Sequence, residues 1–471
     1  MRLLEILIPV TLIIYILWPF FTGRENPRLV TLLPILAAAL IGTHLLVEGY
    51  RWQMIPLYAL TGIILLTALP ELFRPATGEF RRLSWAGVGQ IVTLILLAAS
   101  TALPALLPVP NVPIPSGLYS VGTQTFVLTD DTRLELYSGK DEPRKFMIQV
   151  WYPARPEPDT PHAPWMNNAP IYARQIASYL DLPEFFLDHL KLVKTPAYQN
   201  AQFEPASSAY PIIIFSHGWN GFAAQNTGQM LELASRGYFV AAIQHTYGAI
   251  VTVFQNGEIA YNNPSALPDD MPEPAYTETA RKLVEQWSGD ITYVLDFLAE
   301  QNQDSGSLFF SSLDLDQIGV YGHSTGGGAA IQFCGTDLRC KAVLGMDPFM
   351  TPVSQQVLDN GISQPAFFMF SQGWVDNGDS ENNHLFRQFY ANIDPSTYVI
   401  SIQGTTHYDF SDLPMLTPIA SRLGLKGPLK GKRVTEIVDD YLISFFETKL
   451  KDKPANLFNG QDKYPEVINL H

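Results

Sequence analysis

The sequence predicts a mostly parallel, doubly wound α/β sheet preceded by an all-α region of four membrane-spanning helices. Three observations carry that expectation. Four apolar runs of about bilayer length occupy the first 107 residues. From residue 117 onward, short apolar runs bounded by turn residues alternate with longer amphipathic stretches. The charge divides at the same place: residues 1–108 balance at +2 and the rest at −17, within a chain total of −15. The chain therefore divides into a transmembrane region (1–107), a Pro-rich linker (108–116) and an α/β domain (117–471).

The apolar runs cover 3–20, 29–47, 54–73 and 84–107. A bilayer core takes roughly 20 helical residues. Trp18, Tyr50, Trp52 and Trp85 fall near their ends, where aromatic rings favour the interface. Glu5, His44 and Glu71 also lie near ends, so no buried proton relay is required of them. The first run is long and leads into "FFTGRENPR" without a small-residue cleavage site, unlike a signal peptide. Arg24, Arg28, Arg74, Arg81 and Arg82 sit in the first and third loops, against Arg2 and Arg51 on the other side. The positive-inside rule makes those two loops cytoplasmic and puts the large domain on the extracytoplasmic side of a plasma or inner membrane. Prolines at 104, 108, 110, 113 and 115 then break helix and favour an extended spacer. The acidic part has no basic stripe, which argues against nucleic acid as a partner.

In the α/β domain, "LYSVGTQTFVLTD", "TRLELYS" and "KFMIQVWYP" read as three strands of a meander. "YPIIIFSHG" and "YFVAAIQH" are apolar runs of the kind buried on both faces, separated by the helical "NTGQMLELASRG". A long amphipathic helix over 279–301 leads to "QIGVYGHS", a small-residue helix, "KAVLGMD", "PAFFMFSQG", "TYVISIQGTTH" and a closing helix, "VTEIVDDYLISFFETKL". Residues 245–274 read as a loop able to cover a pocket. Ligands of such sheets bind beyond the carboxyl ends of the strands. Ser324, His217, Gly218, Asp347 and His407 all follow strand ends, so parallel pairing brings them to one edge.

Gly322-His323-Ser324-Thr325-Gly326 fits the G-x-S-x-G nucleophile elbow, a sharp strand-to-helix turn that tolerates only small flanking residues. A serine hydroxyl needs a base. Among nine histidines, His44 is in the membrane region and His471 is terminal, while His162, His189 and His384 lie in loop or helical surroundings. His323 would point away from the Ser324 hydroxyl. His217 and His245 end strands, where they line a pocket or satisfy a structural bond. His407 follows the last strand and both candidate acids, matching the Ser, acid, His order of α/β-hydrolases. Sequence order leaves the acid open between Asp347 and Asp376. The oxyanion needs two preorganised donors, and the backbone amides of Thr325 and Trp219 are the candidates.

Taken together, "VWYPAR", "PIIIFSHGWNG", "ASRGYFVAAIQH", "GHSTGGG", "AVLGMDPF", "IQGTTHYDFSD" and "DYLISFFETKL" resemble the platelet-activating factor acetylhydrolase family of α/β-hydrolases, over roughly 117–450. The resemblance implies Asp347 as the acid, with Ser324 and His407, and the Trp219 and Thr325 amides as oxyanion donors. It implies catalysis without metal or cofactor, on esters with short or oxidised acyl groups, including phospholipids. The four apolar runs and residues 245–274 lie outside it. Cys334 and Cys340, the only cysteines, are placed for a disulfide if the domain is outside the cell. The expected function is a membrane-anchored serine ester hydrolase. The same triad would also serve an acyltransferase, a peptidase or a polyester or cutin-type esterase, and the non-enzymatic alternative is a membrane-bound ligand sensor.

Overall fold

The computed structural model describes residues 1–73, 85–454, 457–458 and 463–470. The chain separates into two compact units. One comprises Met1–Pro110, Ala177–Val193 and Leu416–Ile419; the other holds Asn111–Ile176, Lys194–Met415 and Ala420–His471.

In the first unit, helices Leu3–Thr22, Arg28–Val47, Trp52–Leu72 and Gly87–Leu106 are long and apolar enough to cross a membrane. At 1.5 Å per residue, twenty residues span about 30 Å. They pack through Ile8, Leu12, Ala37, Leu57, Ile64 and Leu97, and leave large apolar side chains such as Leu66, Ile91 and Ile95 exposed. Glu5 and His44, near the ends of their helices, are both fully buried. Arg51 donates to the two Glu5 oxygens at 2.7 and 2.6 Å, Arg2 adds further bonds to Glu5, and His44 Nδ1 lies 2.8 Å from the Tyr58 hydroxyl. An isolated buried carboxylate is too costly, so the acid and the arginines are placed together. Trp52 packs edge-on against Phe185, and its indole N–H donates to the Phe186 carbonyl at 3.1 Å. The loop carrying Arg74, Arg81 and Arg82, and the side chain of Trp85, lie outside the described residues, as does His471.

The second unit contains β1 (Ser120–Leu134), β2 (Pro143–Arg155), β3 (His162–Pro164), β4 (Lys194–Gln199), β5 (Gln202–Phe203), β6 (Tyr210–Ser216), β7 (Phe239–Gln244), β8 (Val251–Val253) and β9 (Ile259–Tyr261). It continues with β10 (Leu313–His323), β11 (Cys340–Met346), β12 (Ala366–Ser371), β13 (Tyr398–Ile402) and β14 (Val467–Asn469). The main sheet runs β14-β13-β12-β11-β10-β6-β7-β2-β1-β4-β3, with β5 on β2. From β7 through β13 the neighbours are parallel; β2 joins β7 antiparallel.

Every residue of β6 and β7 is buried, because helices cover both faces. Ile212 and Ile214 join Trp287 and Ile291 of helix Ala275–Gln303 in one core. On the other face Phe215 packs on Tyr321, and Tyr321 on Phe446 of helix Gly431–Lys451. Each such side chain contributes about 1.5–3 kcal/mol through burial.

Two local expectations are corrected. The meander is a two-stranded hairpin: "TRLELYS" supplies the end of β1 and then a turn. Asp130 accepts from the Thr132 amide and hydroxyl and from Arg133, which bends the strand, and the Glu135 amide closes on the Glu142 carbonyl. Residues 245–274 are not merely loop, since they include the antiparallel pair β8–β9. Cys334 and Cys340 form a disulfide.

Candidate active site

Ser324 stands between β10 and helix Thr325–Thr336 with φ 55° and ψ −121°, a conformation that side-chain-bearing residues seldom adopt. The two flanking glycines explain how it is held. A Cβ on Gly322 would lie 2.2 Å from the Gly326 carbonyl oxygen. One on Gly326 would lie 2.1 Å from the Ser216 oxygen and 2.4 Å from that of His217. Those atoms are backbone and cannot swing away. Gly326→Ala is therefore expected to cost about 3 kcal/mol or more and to abolish turnover, checked by thermal melts beside an ester assay.

Asp347 follows β11, is fully buried and has φ 44°. Its Oδ1 accepts the Ser371 amide at 2.8 Å; its Oδ2 accepts the Ser371 hydroxyl at 2.7 Å and His407 Nδ1–H at 3.0 Å. Charge-assisted bonds of this kind contribute about 1.5–3 kcal/mol each. With Nδ1 protonated, Nε2 of His407 is the free basic nitrogen. The ring is stacked on Trp374 at 4.9 Å and lies against His323 at 4.3 Å. Among the described residues no hydrogen bond joins Ser324 Oγ to His407; such contacts commonly tighten only around substrate. Asp376 ends a short helix, is exposed and makes no contact with His407 among the described residues.

The turn after β6 carries His217, Gly218 and Trp219. A Cβ on Gly218 would sit 3.1 Å from the Ser324 Cβ, so this glycine lets the turn approach the elbow. The Trp219 and Thr325 amides have no acceptor among the described residues. His217 and His245 are fully buried behind the turn in a hydrogen-bond network, not facing a cavity.

The sequence assigns no part in this arrangement to two residues that adjoin it, Ser371 and His323. Ser371, at the end of β12, clamps the carboxylate; a polar residue ending an otherwise apolar strand was the available signal. His323 donates Nε2–H to the His407 carbonyl at 2.9 Å, with Gln225 Nε2–H reaching its Nδ1 at 3.4 Å. Burial holds His323 well below the usual histidine range, so it stays neutral and fixes the backbone of His407.

Asp412, in the same loop, accepts from the Gly228 amide at the start of helix Thr227–Ser235, yet burial outweighs that bond and pushes its carboxyl up to about 7. In the unfolded chain the group titrates near ~3.9. A raised carboxyl favours the fold below the unfolded value, and that advantage is lost as pH rises towards 7. Asp412→Asn should therefore gain stability relative to wild type between pH 4 and 8, by roughly 2–4 kcal/mol, as read from urea midpoints at each pH.

A cavity of about 370 Å³ lined by Gln124, Gln149, Asn167, Gln199, Asn200 and Gln255 among others contains none of Ser324, Asp347 or His407. Chemistry, not cavity size, singles out the elbow.

A serine on a strained strand-to-helix turn, with a carboxylate-bound histidine from the same sheet edge, fits an α/β-hydrolase, and membership of an acetylhydrolase family with esterase relatives makes the class carboxylic ester hydrolase. The chain belongs to the family described as platelet-activating factor acetylhydrolase, isoform II, whose profile matches residues 108–466. It is 27% identical over 377 residues to the platelet-activating factor acetylhydrolase of Cavia porcellus, covering 75% of this chain and 82% of that protein. A probable 1-alkyl-2-acetylglycerophosphocholine esterase of Arthroderma benhamiae is 23% identical, covering 81% of this chain and 98% of the relative. Among solved structures, a ferulic acid esterase from Streptomyces cinnamoneus superposes with a TM-score of 0.64 at 24% identity, covering 77% of this chain and all of that one. That likeness speaks to the fold.

Proposed function

We propose that this chain is a membrane-anchored serine hydrolase acting on lipid or phospholipid-type esters with short acyl groups. Ser324 Oγ attacks the ester carbonyl carbon as its proton passes to His407 Nε2. The carbonyl oxygen becomes an oxyanion held by the Trp219 and Thr325 amides. Collapse breaks the bond to the alcohol, which leaves with the proton from His407, and the acyl group stays on Ser324. Water then gives its proton to His407, attacks the acyl carbon and releases the acid, returning the proton to Ser324. Asp347 keeps the imidazole in the competent tautomer and stabilises its cation.

The observation carrying this reading is the His407–Asp347 pair at 3.0 Å on the same strand-end rim as the Ser324 elbow. Family membership and the relatives' names support the lipid class. Four apolar helices support anchoring. For the extracytoplasmic side, support comes from the loop arginines, from the pairing of Arg2 and Arg51 with Glu5, and from the Cys334–Cys340 disulfide, a bond that persists in oxidising compartments. The test is a fluorophosphonate probe followed by an ester screen varying acyl length and head group. One labelled site per chain and a preference for short acyl glycerophospholipids are expected; an unlabelled folded protein would overturn the proposal.

A further inference from the structure

Behind the turn that carries Trp219 lies a second serine–histidine–aspartate arrangement. Ser216 Oγ–H donates to His245 Nε2 at 2.9 Å, and His245 Nδ1–H donates to Asp290 Oδ2 at 2.9 Å. Arg144 binds both Asp290 oxygens, at 3.1 and 2.7 Å, and Arg133 adds a bond of 2.9 Å. The His245 ring lies flat on Trp287, with centroids 4.1 Å apart and an interplanar angle of 2°. Ser216, His245, Asp290, Arg144 and Trp287 are all 0% exposed. With no access for a substrate, the arrangement is not a second catalytic centre.

Its connections show where it acts. The His245 amide donates to His217 Nε2 at 3.2 Å, which leaves the proton of that imidazole on Nδ1. That proton is donated to the Gly218 carbonyl at 2.7 Å, and the Gly221 amide donates to the same oxygen at 2.9 Å. Burial keeps His217 and His245 neutral, as these donor and acceptor assignments require. The Gly218 carbonyl and the Trp219 N–H belong to one planar trans peptide and point in opposite directions. Holding the oxygen therefore aims the N–H.

The geometry points to Ser216, His245 and Asp290 as positioning residues that, through His217, fix the Gly218–Trp219 peptide so that its N–H faces the developing oxyanion. Arg144 and Trp287 hold His245 against rotation. This inference rests on the proposed hydrolase reading and deepens it, by attributing part of the oxyanion stabilisation to groups that never meet the substrate. A displacement of about 1 Å in such a donor costs up to about a hundredfold in rate.

The test uses the full-length protein, a short-acyl ester and the matching thionoester, whose sulfur is the weaker hydrogen-bond acceptor. His245→Phe retains an aromatic ring over Trp287 and removes both ring hydrogen bonds; Ser216→Ala removes one donor and disturbs folding least. His245→Phe should lower kcat by about tenfold to a hundredfold with KM within about threefold, and shrink the ester-to-thionoester rate ratio by a similar factor. Ser216→Ala should move the same ratio in the same direction by a smaller factor, and it decides the matter if His245→Phe does not fold. A purely structural role would slow both substrates equally, so an unchanged ratio in the folded variants overturns the inference. Failure of the fluorophosphonate to label wild type overturns the hydrolase reading and this inference with it; labelling with an unchanged ratio overturns this inference alone.

Discussion

Ser324→Ala should lower kcat by about five to six orders of magnitude while leaving KM within severalfold and the melting temperature unchanged. The separation of the two readouts follows from local structure. Ser324 Oγ makes no cap hydrogen bond to its helix, so its removal leaves no buried partner stranded. Alanine occupies the same φ of 55° at a position that already carries a Cβ. Turnover above about one per cent of wild type would mean that another nucleophile does the work. Residual activity, about a thousandfold over water, is what the two backbone amides and substrate binding supply by themselves.

Asp347→Asn is expected to lower kcat by about 10⁴-fold, whereas Asp376→Asn changes it by no more than about twofold to threefold. Both oxygens of Asp347 already accept hydrogens, from the Ser371 amide and from the Ser371 hydroxyl and His407. An asparagine must turn its NH₂ towards one of those donors. If it faces His407, the imidazole has to accept there, its proton moves to Nε2, and the nitrogen meant to receive the serine proton is blocked. If it faces the Ser371 amide, two buried donors collide and the loop after β12 is displaced. Asp376 is exposed and touches neither partner among the described residues, so neutralising it perturbs little. Kinetics of the two purified variants on one ester separate the assignments, and a larger loss in Asp376→Asn would reverse them.

Much of the candidate site was readable because the elbow obeys short-range sterics. Gly322 and Gly326 exclude a Cβ that would meet backbone within four residues or on the adjoining strand, and any chain with that turn shows the same spacing. His407 was legible from its place after the last parallel strand. The acid was not legible from order alone: Asp347 and Asp376 follow consecutive strands, and only family resemblance favoured the first. Ser371 and His323 make their contacts across the sheet edge, where the one local trace is the polar end of the otherwise apolar β12. The first two predicted strands share one strand, β1, for another reason. The alternation in "TRLELYS" is real, but Asp130 draws Thr132 and Arg133 onto itself and turns the chain out of register.

The sequence by itself determined the four apolar spans, the alternation of strand and helix, the elbow around Ser324 and the strand ends that carry candidate groups. Each depends on periodicity or on contacts between near neighbours, which composition and spacing record directly. The tertiary structure alone decided which carboxylate His407 meets, that Glu5 is buried between arginines, and that Ser216, His245 and Asp290 form one connected set. Apart from the Arg2–Glu5 contact, three positions apart, those are hydrogen bonds between residues 29 to 60 positions apart, and how far a donor lies from an acceptor across packed helices and strands is a property of packing that no local rule encodes.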